Sequence, residues 1–300
     1  MAANGMSSQP SHVSKRGHKD YCLPGTDDGL PAREVGVWAE EKYRRVGMYC
    51  EMFATGMKAR WDARVYLDLY AGSGQSRLKN TKRLVLGSPL IALSIPDPFD
   101  RYILCEADNR AMAALRARVQ RVSPAADVRY VSGDVNETLE QVIREIPQHG
   151  REHRVLSFCF VDPFSVGIQF NTIRRLAEGR AIDFLILLAL GMDANRNIRS
   201  YVSAQSTRIG EFLGSPDWRA RWDEAQKSGE DFIYFLAREY ATAMERIGYL
   251  PTLPAEMHRV RSDLKNLPLY YLAFFSKHPL GKQFWKDVQK YSTDQFSLRL

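Results

Sequence analysis

Hydrophobic and polar positions change their spacing several times along this chain. Residues 1–30 are polar, basic and rich in Ser, Gly and Pro, which predicts a disordered tail with little to bury. Over residues 31–62 apolar positions recur every three or four residues, at Val35, Trp38, Val46, Tyr49, Cys50, Phe53 and Met57. That spacing predicts one helix or a helix pair, with Gly47 and Gly56 as places to break. Five nearly continuous apolar runs follow: residues 65–70, then "RYILCEAD", "DVRYVSGD", "RVLSFCFVDPF" and "AIDFLILLAL". Helical patterns separate them. "GSPLIALSI" has Ser88 as N-cap and Pro89 in the first helical position. A second helix covers 109–119. "ETLEQVIREI" puts Leu139, Val142, Ile143 and Ile146 on one side, and "NTIRRLAEG" is closed by Gly179.

Short apolar strands alternating with helices predict a parallel sheet covered on both faces. The alternation stops over residues 193–255, where "DFIYFLAREYATAMERIGY" aligns Ile233, Leu236, Tyr240, Met244 and Ile247 on a long helix. Residues 256–300 read as a strand pair in "LPLYYLAFFSKHP" and a closing helix in "GKQFWKDVQKYS". The predicted architecture is a doubly wound, Rossmann-like α/β core over residues 63–192. It has a helical segment before it, a helical insertion over 193–255, and returning elements after it. A 300-residue chain with 45% hydrophobic residues can bury such a core.

Composition narrows the function classes. The net charge of +7 makes an acidic partner such as nucleic acid an expectation. Cys22, Cys50, Cys105 and Cys159 are far apart and form no metal-ligand spacing with histidine, so reduced thiols and no metal site are expected. The longest apolar run, "FLILLALGM", is far shorter than the ~20 residues of a membrane span. The N-terminus has no secretory apolar stretch. A cytoplasmic protein without membrane contact is the expectation.

In a doubly wound sheet ligands bind beyond the carboxyl ends of the strands. Here the first strand carries Asp68 and runs into the turn Ala71-Gly72-Ser73-Gly74. The second ends in Glu106, the third in Asp134, and the fourth in Asp162-Pro163-Phe164. An acid at each of four tips suits S-adenosylmethionine. The glycines let backbone approach the cofactor, and Asp68 can meet its amino group directly or through water. Glu106 can accept the ribose hydroxyls, and Asp134 the adenine amine. A dinucleotide pyrophosphate fits less well, because Asp68 stands close and Arg77 replaces the third glycine of the dinucleotide motif. A nicotinamide-dependent oxidoreductase is therefore disfavoured. Each residue taken singly also has an ordinary reading, and Asp134 could simply cap the next helix.

Asp162-Pro163-Phe164 resembles the D-P-P-Y type motif of amino-group methyltransferases acting on nucleic acids, without the second proline. The resemblance implies that Asp162 and the Pro163 carbonyl receive the acceptor amine and that Phe164 stacks on the base. An ordinary strand end with Phe164 in the core is the alternative. "QSRLKNTKRLVL" holds Arg77, Lys79, Lys82 and Arg83 on an expected loop above the cofactor, able to clamp phosphates or simply solvated. Asn195, Arg196 and Asn197 follow the fifth strand at the expected rim, as substrate contacts or as helix caps.

Taken together, Trp38-x3-Lys42 and Tyr49, "YLDLYAGSG", "GSPLIAL", "VDPF", "NRN" and "LYYLAFFSKHP" make the chain resemble the three-Cys-motif partner (TcmP) family from residue 35 onward. The resemblance implies a class I methyltransferase-like Rossmann fold and a partner protein carrying a three-cysteine motif. The resulting expectation is an S-adenosylmethionine-dependent methyltransferase acting on nucleic acid or a nucleic-acid-associated substrate. The alternative is a non-catalytic, methyltransferase-like partner subunit.

Overall fold

The computed structural model describes residues 21–261 and 268–294. The first 20 residues of the expected tail lie outside the described residues. Residues 21–30, grouped with that tail on composition, are instead tied to the core. Cys22 is buried, the Gly25 N–H donates to the Leu84 carbonyl at 2.9 Å, and Asp28 pairs with Arg118 at 2.7 Å.

In chain order the first elements are β1 (Arg33–Val35), α1 (Ala39–Met57), β2 (Ala63–Asp68), β3 (Gln75–Leu78), β4 (Leu84–Leu86) and α2 (Ser88–Leu93). Then come β5 (Arg101–Glu106), α3 (Asn109–Val122), β6 (Val128–Ser132), α4 (Val135–Glu145), β7 (Val155–Val161), α5 (Phe170–Ala177) and β8 (Ala181–Leu188). A π-helical turn (Leu190–Ala194) leads into α6 (Ile198–Val202), α7 (Arg208–Leu213), α8 (Trp218–Lys227) and α9 (Phe232–Arg246). A 3₁₀ turn, β9 (His258–Arg261), β10 (Pro268–Phe275) and α10 (Pro279–Asp294) complete the described chain.

Seven strands form the central sheet in the order β6-β5-β2-β7-β8-β10-β9. The first five are parallel, and β10 runs antiparallel to both β8 and β9. Order and direction define a doubly wound, Rossmann-like sheet of the class I methyltransferase kind. Its strands are continuously apolar because both faces are covered. Along β2, Val65 and Leu67 enter the core shared with α4, α5 and α9, while Tyr66 enters the core beneath α1, α2 and α3. No helix among the described residues is long and apolar enough to cross a membrane.

Four expectations need adjusting. The helical segment is one helix, α1, because neighbouring side chains pack onto Gly47 and Gly56 instead of the helix breaking there. "LPLYYLAFF" is a single strand whose antiparallel neighbour, β9, comes from the preceding residues. Ser88 is inside α2 and Gly87 takes the N-cap; the Ser88 hydroxyl serves Asp68 instead. The basic segment after Gly74 is no open loop: β3 and β4 form a hairpin that β1 extends into a three-stranded sheet.

Candidate functional site

The carboxyl ends of β2, β5 and β7 open into one crevice of about 520 Å³. Its floor is the turn between β2 and β3. Gly72 and Gly74 have φ of 61° and 82°, conformations that strain any residue with a Cβ. The turn is fixed by backbone partners: Ala71 N donates to the Cys105 carbonyl at 2.9 Å, and Gly87 N to the Gly74 carbonyl at 2.8 Å. Glu106 closes one side. Its Oε2 accepts from Gly72 N and its Oε1 from Asp108 N, each at 2.8 Å, so the acid is aimed by the glycine turn.

Beneath the floor lies Asp68, which has no exposed surface. Tyr66 OH donates to its Oδ2 at 2.9 Å, Tyr70 N to its Oδ1 at 3.3 Å, and Ser88 adds a third hydrogen bond. Burial dominates these favourable partners and pushes the Asp68 carboxyl up to about 7, with the nearby Asp162 charge adding to the rise.

Opposite Glu106 stand Lys42 and Tyr43 of α1. The Lys42 ammonium meets Asp162 Oδ2 at 2.5 Å, and both side chains are nearly buried. Desolvation works against the charged lysine, but the Asp162 carboxylate outweighs it and holds the ammonium above its usual range. Tyr43 OH and Ser76 Oγ share a hydrogen bond of 2.9 Å. Residues 31–35 form the roof, where the Arg33 guanidinium lies 3.1 Å from the centroid of the half-exposed Phe164 ring. Burial lowers the Arg33 pKa, opposed by the charges of Asp162 and Glu106.

A second cleft of about 400 Å³ adjoins the crevice and shares Tyr70 and Phe164 with it. Asp134, Pro163 and Arg208 line this cleft. Asp134 also caps α4, accepting from Asn136 N at 2.8 Å.

The residues expected to hold a cofactor therefore fall in three places. Ala71, Gly72, Ser73, Gly74 and Glu106 line the crevice, Asp68 lies under it, and Asp134 faces the adjoining cleft. Asp162 and Phe164 line the crevice, while Pro163 belongs to the cleft. The expected substrate residues line neither. Gln75 and Ser76 of β3 line the crevice, and Arg77 does not. Arg77 pairs with Asp27 at 3.5 Å, Lys82 with Glu34 at 2.7 Å, and Arg83 with Glu40, which compensates most of the hairpin charge; Lys79 also lies outside both spaces. Asn195, Arg196 and Asn197 are exposed beyond the π turn. There Asp193 Oδ1 accepts from Asn197 Nδ2 and Tyr201 OH, each at 2.8 Å, which is a structural use of the "NRN" segment.

Lys42, Tyr43, Arg33, Arg118 and Arg208 were not anticipated as site residues. Two of them leave a trace in the pattern. Lys42 sits four residues from both Trp38 and Val46, and Arg118 three from Leu115, so each is a charge on an otherwise apolar stripe.

No family model matches the chain, and no curated protein matches its sequence. Among solved structures, the chain is similar to an O-methyltransferase from Bacillus cereus in complex with SAH, at 12% identity and a TM-score of 0.46. That match covers 83% of this chain and 85% of the other. It is also similar to the O-methyltransferase TomG from Streptomyces achromogenes in complex with SAM, at 12% identity and a TM-score of 0.42. Here 78% and 81% of the two chains are covered. At that level of likeness the function has to be read from this chain's own residues.

Proposed function

We propose that the chain is an S-adenosylmethionine-dependent methyltransferase acting on an amino group of nucleic acid or of a nucleic-acid-associated substrate. The observation that carries this reading is the hydrogen bond from Gly72 N to Glu106 Oε2, which fixes a glycine turn and a ribose-reading acid in one crevice. Bound there, the cofactor would supply an electrophilic methyl group on a cationic sulfur. Glu106 keeps lone pairs for hydroxyls, the open Gly72–Gly74 backbone admits the amino-acid moiety, and Asp134 with Arg208 is available to the base in the adjoining cleft. Asp68 supports the floor from below through its hydrogen bonds with Tyr66, Tyr70 and Ser88.

Asp162 faces the acceptor side. Its carboxylate can accept a hydrogen bond from an amine and so direct the nitrogen lone pair at the methyl carbon. The protein's contribution to such a transfer is chiefly alignment. In such a transfer the nitrogen would gain the methyl, the electron pair of the broken S–C bond would go to sulfur, and the product nitrogen would release a proton to solvent.

A second reading, a non-catalytic partner subunit of a three-Cys-motif protein, draws on one observation. Arg33 covers a face of Phe164 on which a base would stack. Incubation with methyl-labelled S-adenosylmethionine and mixed RNA, DNA and protein separates the two. Label in nucleic acid supports the enzyme; binding without label transfer, with and without the partner, supports the subunit.

A further inference from the structure

A buried lysine on α1 engages the acid that this reading assigns to the acceptor. Lys42 belongs to a helix outside the sheet, on a stripe where its neighbours at four-residue spacing are Trp38 and Val46. Its side chain is 8% exposed and that of Asp162 12%. A buried ion pair is a weak source of stability, and an apolar residue could fill such a stripe without desolvating two charges. The pair nevertheless lines the crevice, and among the described residues the one hydrogen bond on Asp162 goes to Oδ2. Oδ1 is left for the crevice.

We propose that Lys42 is a positioning residue: by holding Oδ2 of Asp162 it presents Oδ1 alone, as a receiver for one N–H of an uncharged amino group. Two consequences define the acceptor class. One free oxygen cannot grip a guanidinium side by side, which needs both carboxylate oxygens. A neutralised pair also gives little attraction for an ammonium, which disfavours a lysine side chain as acceptor. The exocyclic amine of a nucleobase, neutral and offering single N–H bonds, fits both conditions.

Other charged and titratable groups face this pair. Tyr43 on α1, Asp68 on β2, Arg33 on β1 and Tyr270 on β10 all interact with Asp162 electrostatically. Lys42 is the one in direct contact.

The proposal rests on the cofactor reading, and cofactor analogues test it without a known acceptor. Sinefungin carries an amine, protonated near neutral pH, where the cofactor carries its methyl; S-adenosylhomocysteine carries nothing there. A neutralised pair offers that ammonium little, so calorimetry at pH 7.5 is expected to show the wild type binding the two analogues within a few-fold of each other. Lys42→Met leaves the Asp162 charge without its partner and should make sinefungin bind about tenfold or more tightly than S-adenosylhomocysteine. Lys42→Arg should keep the wild-type ratio, and adding Asp162→Asn to Lys42→Met should remove the gain.

A tenfold preference for sinefungin in the wild type, an unchanged ratio in Lys42→Met, or a gain that survives the added Asp162→Asn would overturn the proposal while the cofactor reading stands. If neither analogue binds the wild type, both fall. Should Lys42→Met fail to fold, Lys42→Gln, which keeps a donor without the charge, is measured in its place and read by the same outcomes.

Discussion

Asp68 is the residue at which burial and charge are most directly opposed. Its carboxyl is pushed up to about 7, so the folded chain holds a proton there that the unfolded chain has released above about pH 4. Stability from this group is fully present below the unfolded value and is lost as the pH rises toward 7. Between those limits the folded state should weaken by at most about 1.4 kcal/mol per pH unit. Asp183, raised to about 6 by burial, acts in the same direction. Urea unfolding of wild type and Asp68→Asn at several pH values should show the variant gaining on the wild type from pH 4 to 7. A constant difference would mean that Asp68 does not titrate in this window. At this scale the acids were legible in the sequence, since each ends an apolar strand. The partners that set their properties were harder to find, because Lys42 and Ser88 reach Asp162 and Asp68 from other elements and only tertiary packing brings them there.

Helix α1 shows how an element can be legible while its boundaries are not. The apolar spacing marks it, yet Gly47 and Gly56 suggest breaks that never form. Glycine costs about 1 kcal/mol against alanine inside a helix, so both positions weaken α1 taken alone. A methyl at Gly47 would meet Tyr21 Cβ at 2.6 Å, close to a backbone that cannot swing aside. At Gly56 it would meet only the tip of Phe284, at 2.8 Å. Thermal melts should therefore separate them: Gly47→Ala destabilises by ~1–3 kcal/mol through overpacking, whereas Gly56→Ala is neutral or slightly stabilising. The reverse order would mean that α1 is held differently against residue 21 and α10. The β3–β4 hairpin was not legible for a related reason. Its strands have four and three residues, carry mixed basic and apolar side chains, and gain their order from β1 and the 21–30 segment packed on them.

Across the whole molecule, residues as far apart in the sequence as Pro31 and Arg208 converge on the carboxyl edge of one sheet. A parallel sheet covered on both faces could be anticipated from the alternation, because such strands must be apolar throughout. The roof could not, because residues 31–35 group by spacing with the following helix and the segment that holds them has the composition of a tail. What pins it is Arg118 of α3, which donates to Asp28, to the Leu30 and Pro31 carbonyls and to the Ser73 carbonyl in the glycine turn. Replacing it takes the side-chain donor from three carbonyls and leaves Asp28 with Leu30 N and the more distant Arg121. Arg118→Ala is expected to lose about 3 kcal/mol in urea unfolding, and to weaken cofactor binding as the roof and turn loosen together. An unaffected stability would place the roof outside the cooperative fold.

The central claim is that this crevice binds S-adenosylmethionine through the glycine turn and Glu106. Calorimetric titration of the purified chain at pH 7.5, wild type beside Glu106→Ala, tests it most directly. The expected result is saturable one-site binding to the wild type and a loss of ~10–100-fold in the variant, the scale of one or two hydrogen bonds to a charged group. No heat of binding in the wild type, or equal affinity in the two proteins, would contradict the account.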